Sequence, residues 1–316
     1  MNTPKTFLKL IKLGATPPSI VYPYPFIPFL AFVLSRGSFI DFLISLIFVS
    51  TYFSAINLWN HINDAEDDVK AGRKESEILL KIRFKATIFV LMLYIIAFIF
   101  VILRSKSAIA PLLYIIIAVT TWLYSDKMFV GRFIKRFKEH YVTEVLTYLI
   151  TVPLFFTVLW SFFSDIDLKC LGFTSIATVL FLSIVVLKDI KDISADLSAG
   201  YKTLAVVFSP QGLLKTSFIL NALYYILIFA LSILIFPKTV IIGLVPFLLF
   251  LYIVYNMQKR KWLIDISSIN LVKLYVYSYL ISLMLICIGA FYWNFMKDIV
   301  LVVFMQILSS TSVINL

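Results

Sequence analysis

Two short acidic segments carry the residue types that could do chemistry. The first reads Asn60-His61-Ile62-Asn63-Asp64-Ala65-Glu66-Asp67-Asp68, and the second Asp189-Ile190-Lys191-Asp192-Ile193-Ser194-Ala195-Asp196. Shifted by 128 residues, Asp64 falls on Asp192, Asp68 on Asp196, Ala71 on Ala199, Gly72 on Gly200 and Lys74 on Lys202. Both copies read D-x-x-x-D-x-x-A-G-x-K, five coincidences in an 11-residue window. A lone D-x-x-x-D is commonplace on a solvated surface. A matched pair with glycine and lysine at the same offsets implies an internal duplication with a shared task.

On a helix, Asn60, Asp64 and Asp68 fall at i, i+4 and i+8, and Asp192 and Asp196 at i and i+4, so each set lines one face. Carboxylates crowded on one face repel unless a cation sits between them. Hard oxygen donors without thiolate or imidazole suit Mg²⁺, which keeps several waters and is commonly completed by substrate phosphates. Two such arms facing each other suggest a diphosphate held by magnesium at the mouth of a cavity. The candidate ligands are Asn60, Asp64, Asp67, Asp68, Asp189, Asp192 and Asp196. Asn63 and Asp67 form an alternative N-x-x-x-D register, and Asn57 reads as a packing or supporting residue.

Basic groups should also meet the diphosphate, because Lys and Arg hold phosphate oxygens and stabilise a departing anion. Lys74 and Lys202 occupy matching repeat positions, and Lys202 is favoured because it is tied to the acidic repeat. The segment from Tyr124, Ser125, Asp126 and Lys127 through Arg132, Lys135 and Arg136 is a second basic loop. The Gln258-Lys259-Arg260-Lys261-Trp262 run has no acidic neighbour and reads as topology or anionic-lipid contact. With two cysteines lacking a CxxC pattern and two histidines, neither a disulfide nor a zinc site is expected.

The elements that must position these residues are membrane helices. Of 316 residues, 61% are hydrophobic and 14% charged, and the mean hydropathy is +0.99. Soluble domains are about 45–50% apolar and about 25% charged, which excludes a soluble, disordered or disulfide-scaffold protein. Runs long enough to span occur at about 19–35, 40–59, 86–103, 107–125, 141–163, 170–187, 216–236, 238–256 and 271–294. Prolines 17, 18, 23, 25 and 28 make the entry to the first irregular, unlike a cleavable signal. The apolar stretch 299–316 reads as an interfacial helix rather than a tenth span.

Placing the N-terminus in the cytoplasm leaves six of the 28 Lys and Arg on the other side: Arg36, Arg104, Lys106, Lys169, Lys238 and Lys297. That asymmetry fixes the orientation, and the net charge of +11 then reflects topology rather than nucleic acid. Only Asp41, Asp165, Asp167 and Asp298 fall outside, so both acidic arms face the cytoplasm. Because the offset spans an even number of helices, the repeats are parallel. The expected fold is all-α: a single polytopic domain over 1–316, with about nine membrane helices in two four-helix halves (15–125 and 141–256) plus one, around a central cavity.

These motifs resemble the UbiA superfamily of intramembrane prenyltransferases. Its N-x-x-x-D-x-x-x-D motif is matched by Asn60, Asp64 and Asp68. Its D-x-x-D-x-x-x-D with a following G-x-K-T is matched by Asp189, Asp192, Asp196, Gly200, Lys202 and Thr203. Its Y-S…K-R loop is similar to Tyr124, Ser125, Lys135 and Arg136. The chain departs from it at Leu13-Gly14-Ala15-Thr16-Pro17-Pro18, where many members have Arg-Pro, and at Ala71, often an acid.

The resemblance implies Mg²⁺-dependent transfer of a prenyl group from an isoprenyl diphosphate to a lipophilic acceptor, in contact with membrane lipid. Asp64 and Asp192 would be catalytic. Lys202, Arg132, Lys135 and Arg136 would neutralise the diphosphate, and some of the 30 Phe and 17 Tyr would face an allylic cation. An aromatic quinone precursor is the leading acceptor class. The Lys188-Asp189-Ile190-Lys191-Asp192 segment resembles archaeal-type members, including synthases of ether lipids on glycerol phosphate. A cation-coupled transporter is the alternative of another class, although its acids would be expected nearer the midplane. The pattern of a CDP-alcohol phosphotransferase is absent.

Overall fold

The computed structural model describes residues 3–14, 25–70, 72, 76–188, 190, 193–265 and 268–296. Apart from a single bridge between His140 and Lys202, the described residues are helices and turns. Helix α1 (Thr3–Gly14) precedes the short apolar α2 (Phe26–Ser35), and α3 (Phe39–Lys70) follows. After α4 (Glu77–Lys81) come α5 (Arg83–Arg104) and α6 (Ala110–Ser125), then α7 (Tyr141–Ser161) and α8 (Leu168–Val185). The short α9 (Ile193–Ser198) and α10 (Leu204–Val207) lead to α11 (Pro210–Leu234), α12 (Phe247–Lys259) and α13 (Ile269–Phe291).

Eight helices among the described residues are long and apolar enough to cross a membrane. The ninth expected place is held by α2, the described part of the 19–35 run, whose 10 residues are too few to span alone. The run 238–256 is not one regular helix. A 3-10 segment, Lys238–Leu244, leads to Pro246, which stands as the N-cap of α12. Helix α1 is an element the span reading did not anticipate; it rests on α3, with Leu10 buried and Leu8 and Ile11 exposed. The stretch 299–316 lies outside the described residues.

The first acidic motif does not follow a span but continues it. Helix α3 runs 32 residues without a break, carrying Asn60 to Asp68 on its last turns. The repeat is visible in backbone detail. Gly72 and Gly200 both have positive φ, +83° and +74°, and donate to the carbonyls of Val69 and Leu197, which are themselves 128 residues apart. Glycine there ends each acidic helix in a left-handed turn without a Cβ penalty.

Aromatic packing holds the helices around the site. Trp59 and Trp122 stack at 3.8 Å, and the Trp59 indole donates to the Trp122 carbonyl at 3.0 Å, locking α3 to α6 one residue before Asn60. Deeper in the bundle, Tyr52 stacks on Phe155 at 5.2 Å and Phe48 packs on Phe162 at 4.8 Å. At the far side, the 3-10 segment lies against α13 at Gly289, where an added Cβ would fall 2.3 Å from the Thr239 carbonyl oxygen. Overpacking of this kind costs about 1–3 kcal/mol. Gly289→Ala should therefore lower the unfolding temperature of detergent-purified protein while leaving the acidic end intact, as differential scanning fluorimetry would show.

Candidate active site

A cavity of about 1010 Å³ opens at the acidic end of the bundle. One wall is α3, whose lining residues run Asp68, Asp67, Asp64, Asn60, Asn57, Ile56, Phe53 and Tyr52 from mouth to base. Another wall is α7, which contributes Glu144, Thr147, Tyr148, Thr151, Val152, Phe155 and Phe156. These residues recur every three or four positions, so each helix presents one stripe to the cavity. Both stripes grade from carboxylate through amide or hydroxyl to aromatic ring. The shape suits a ligand with a multiply charged head and a long apolar tail.

Like-charged side chains along α3 are held by a loop, residues 126–140, that returns basic groups over them. Lys138 donates to both carboxylate oxygens of Asp64, at 2.7 and 2.6 Å, and to the Asn60 side-chain oxygen at 2.8 Å. Arg136, with 1% of its side chain exposed, donates to Asp64 at 2.7 Å and to Glu139 at 2.5 Å. It also donates to the Tyr201 hydroxyl. Lys127 donates to both oxygens of Asp67 at 3.1 Å. Burial pulls Lys138 below the ordinary lysine range, with Asp64 opposing that fall. Burial also pushes the Tyr201 phenol up to about 12, keeping it a donor to Asp67 at 3.4 Å.

The loop itself is built around a residue that sequence reading passed over. The buried Asp126 carboxylate accepts the backbone N–H groups of Met128, Phe129, Val130 and Gly131 at 2.7–3.2 Å. A Cβ at Gly131 would fall 1.8 Å from the Asp126 carbonyl oxygen, so the turn has no room for a side chain there. The buried Asn63 fastens the start of the loop to α3: it accepts the Lys127 N–H at 2.7 Å and donates to the Trp59 carbonyl at 2.8 Å.

The structure sorts the sequence candidates by position. Asn60, Asp64, Asp67, Asp68, Asp196, Tyr124 and Ser125 all line the cavity. Ser125 donates to Asn60 at 2.9 Å, Ser76 to Asp68 at 3.1 Å and Thr203 to Asp196 at 2.8 Å. Asn63, the alternative ligand, is fully buried with both ends of its amide engaged, and it is absent from the lining. Asp189, Asp192 and Lys74 lie outside the described residues.

Lys202, Arg132 and Lys135 are exposed and not part of the lining. Lys202 is held through its backbone, donating to the Glu139 carbonyl and accepting from the Tyr141 N–H. Arg136 reaches the site by gripping Asp64 from behind the wall. The cavity instead takes Lys70, Lys127, Lys138 and Lys188. No paired motif marks Lys138 or Glu144. The available signal was an acid in the first turn of an apolar span, with polar residues three, four and seven positions on.

Asp126→Ala should loosen this loop without touching the cavity wall. Hydrogen bonds to charged groups contribute about 1.5–3 kcal/mol each, so amides of Met128 to Gly131 should exchange with deuterium more than tenfold faster. Unchanged exchange would mean the loop is held by other contacts.

Three comparisons bear on this geometry. The chain is 42% identical over 283 residues to an uncharacterized protein of Archaeoglobus fulgidus, covering 89% of this chain and 98% of that one. Its fold is similar to a structure of digeranylgeranylglyceryl phosphate synthase in membranes, with a TM-score of 0.67 and 19% identity over 92% of this chain and 99% of that chain. It is also similar to a UbiA homologue from Archaeoglobus fulgidus solved with DMAPP and Mg²⁺, with a TM-score of 0.61 and 15% identity over 90% of this chain and 98% of that chain. Residues 83–268 match the UbiA prenyltransferase family. An integral membrane bundle with this cavity and this family match is a membrane prenyltransferase: the chain belongs to the UbiA prenyltransferase family.

Proposed function

We propose that this protein transfers a prenyl group from an isoprenyl diphosphate to a lipophilic acceptor, with Mg²⁺ and on the cytoplasmic side of the membrane. The observation that carries the reading is the pair of graded walls, with carboxylates and lysines at the mouth and phenyl rings at the base of one cavity. The concentration of Lys and Arg on the acidic face supports the orientation. Membership in a prenyltransferase family leaves the transport alternative without support.

The donor types fit magnesium, while among the described residues no three acids are gathered into a metal-holding group. The described donors at the mouth, Asn60, Asp64, Asp67, Asp68 and Asp196, are all oxygen ligands of the kind Mg²⁺ prefers. Asp192 completes the proposed set by the repeat, and Asp189 by the resemblance of the second motif to that of the family. Magnesium bound there would neutralise the diphosphate and make it a better leaving group. Lys127, Lys138 and Lys188 face the same space and can bind diphosphate oxygens as the C–O bond breaks. Tyr52, Phe53 and Phe155 offer ring faces to the allylic tail and exclude water from it. Lys202, Arg132 and Lys135 have a smaller part in this reading, because they are exposed outside the lining.

An aromatic quinone precursor is the first acceptor class. A glycerol-phosphate ether lipid precursor is the second. It is supported by the Lys188-Asp189-Ile190-Lys191-Asp192 segment and by the likeness to the synthase above.

Geranylgeranyl diphosphate with Mg²⁺ should raise the unfolding temperature of purified protein, and EDTA should abolish the shift. Stabilisation is about 2.7 kcal/mol at a hundredfold excess over Kd. Asp64→Ala and Asp192→Ala should each remove the Mg²⁺-dependent part of the shift and abolish turnover while the protein stays folded. Full activity in either variant would refute the two-arm site.

A further inference from the structure

One cluster in the cavity wall is built around an acid that belongs to neither acidic motif. Glu144, 1% exposed, sits in the first turn of α7 with four donors around it. The Tyr148 hydroxyl lies 3.2 Å from its Oε1, the Tyr124 hydroxyl 3.5 Å and the Lys188 ammonium 3.9 Å. The Leu204 N–H donates to its Oε2 at 3.2 Å. The two tyrosine hydroxyls are 2.7 Å apart, and Lys188 donates to the Tyr124 oxygen at 3.0 Å. The Lys188 ammonium also lies over both rings, 5.5 Å from the Tyr124 centroid and 5.1 Å from that of Tyr148. All four residues line the cavity.

Their level in the cavity is fixed by a neighbour. Ser125, next to Tyr124, is bonded to Asn60, one turn deeper than Asp64. The cluster therefore lies where the charged mouth gives way to the apolar base. A bound prenyl diphosphate would place its reacting carbon at that level, next to the head and at the top of the tail.

We infer that Tyr124, Tyr148 and Glu144 form the route by which the acceptor loses its proton. This assignment rests on the prenyl-transfer reading and names a role within it. The C–O bond of the donor breaks with its electron pair leaving on the diphosphate. The acceptor, an alcohol, phenol or electron-rich aromatic carbon, forms the new bond to the prenyl carbon. Its proton passes to a tyrosine hydroxyl, which hands its own proton to Glu144.

Two of the motif aspartates, Asp64 and Asp67, are less suited to this task, because each is held in a direct ion pair at 2.6–3.1 Å, whereas the Lys188 ammonium lies 3.9 Å from Glu144. Asp64 already accepts from Lys138 through both oxygens and from Arg136, and Asp67 from Lys127 through both oxygens. Glu144 is a positioning residue in this scheme, acting through the hydroxyls. Lys188, over both rings and bonded to the Tyr124 oxygen, orients the tyrosines.

The test is Glu144→Gln, which keeps acceptor and shape but cannot take up a proton. Steady-state assays would use geranylgeranyl diphosphate, Mg²⁺ and two acceptor probes, geranylgeranylglyceryl phosphate and 4-hydroxybenzoate, with the probe that supports wild-type turnover carried forward. General-base groups contribute about 10²–10⁴ in rate. The kcat should therefore fall about a hundredfold, with unchanged KM for the diphosphate and an unchanged diphosphate-induced thermal shift.

Glu144→Asp should restore part of kcat, and Tyr148→Phe should give an intermediate loss. Wild-type kcat in Glu144→Gln, or a loss confined to KM or to folding, would overturn the relay. Wild-type protein that transfers to neither probe, or shows no Mg²⁺-dependent shift with the diphosphate, would instead remove the parent reading and the relay with it.

Discussion

Crowded negative charge at one end of α3 is the condition to which the rest of the site answers. Asp64, Asp67 and Asp68 project within little more than one turn, and at such spacing carboxylates destabilise a helix unless cations lie beside them. The chain supplies those cations from the 126–140 loop, and the loop needs a scaffold of its own. Asp126 gathers four backbone N–H groups, Asn63 fixes Lys127 near the start of the loop, and the Lys202 backbone clips its end at Glu139 and Tyr141. The Trp59–Trp122 stack keeps α3 and α6 in register beneath it. A buried acid and a buried amide that touch no cavity thus decide where Lys127, Arg136 and Lys138 arrive.

The cavity achieves selectivity by grading polarity along two helices at once. Neither α3 nor α7 is amphipathic in the usual sense of a polar and an apolar side. Each has a single cavity stripe whose character changes along its length, from Asp64 to Tyr52 on one and from Glu144 to Phe156 on the other. The charged head is matched only at one end and the tail only at the other, so an amphiphile has one orientation in which both are satisfied. Burying polar groups against apolar ones is costly, and the reversed orientation incurs that cost at both ends.

Much of this was legible in the sequence because it is periodic. The apolar runs and the duplicated D-x-x-x-D-x-x-A-G-x-K follow from spacing alone, and the left-handed turns at Gly72 and Gly200 show why the motif needs its glycine. What spacing did not reveal is whether a residue works through its side chain or its backbone. Lys202 matches Lys74 in the repeat, yet its main chain pairs with the 139–141 segment and its side chain is not part of the cavity lining. Lys138 and Glu144 come from elements distant in sequence and belong to no repeat, so only the packing of the loop and α7 against α3 brings them to the mouth. The choice between Asn60 and Asn63 was likewise undecidable from a helical wheel. Burial separates the two in position: one amide faces the cavity and the other is spent on the Trp59 carbonyl and the Lys127 N–H.

Helix α3 also ties the chemistry to the thickness of the bilayer. At its other end Asp41 is buried and paired with Arg104 at 2.5 Å and Lys106 at 3.4 Å, a charged cluster that belongs at a water interface. From Asp41 to Asp64 the unbroken helix rises about 34 Å at 1.5 Å per residue, close to the ~30 Å of a hydrocarbon core. One rod therefore stands with a charged cluster near each end, and a charged head held at Asp64 need not enter hydrocarbon at all. The reaction plane is set by where the rod leaves the lipid. A bilayer thicker or thinner than this span would displace the mouth from the headgroup level, or tilt the rod to compensate. Lipid composition is thereby a physical variable of the active site, acting through the length of a single helix.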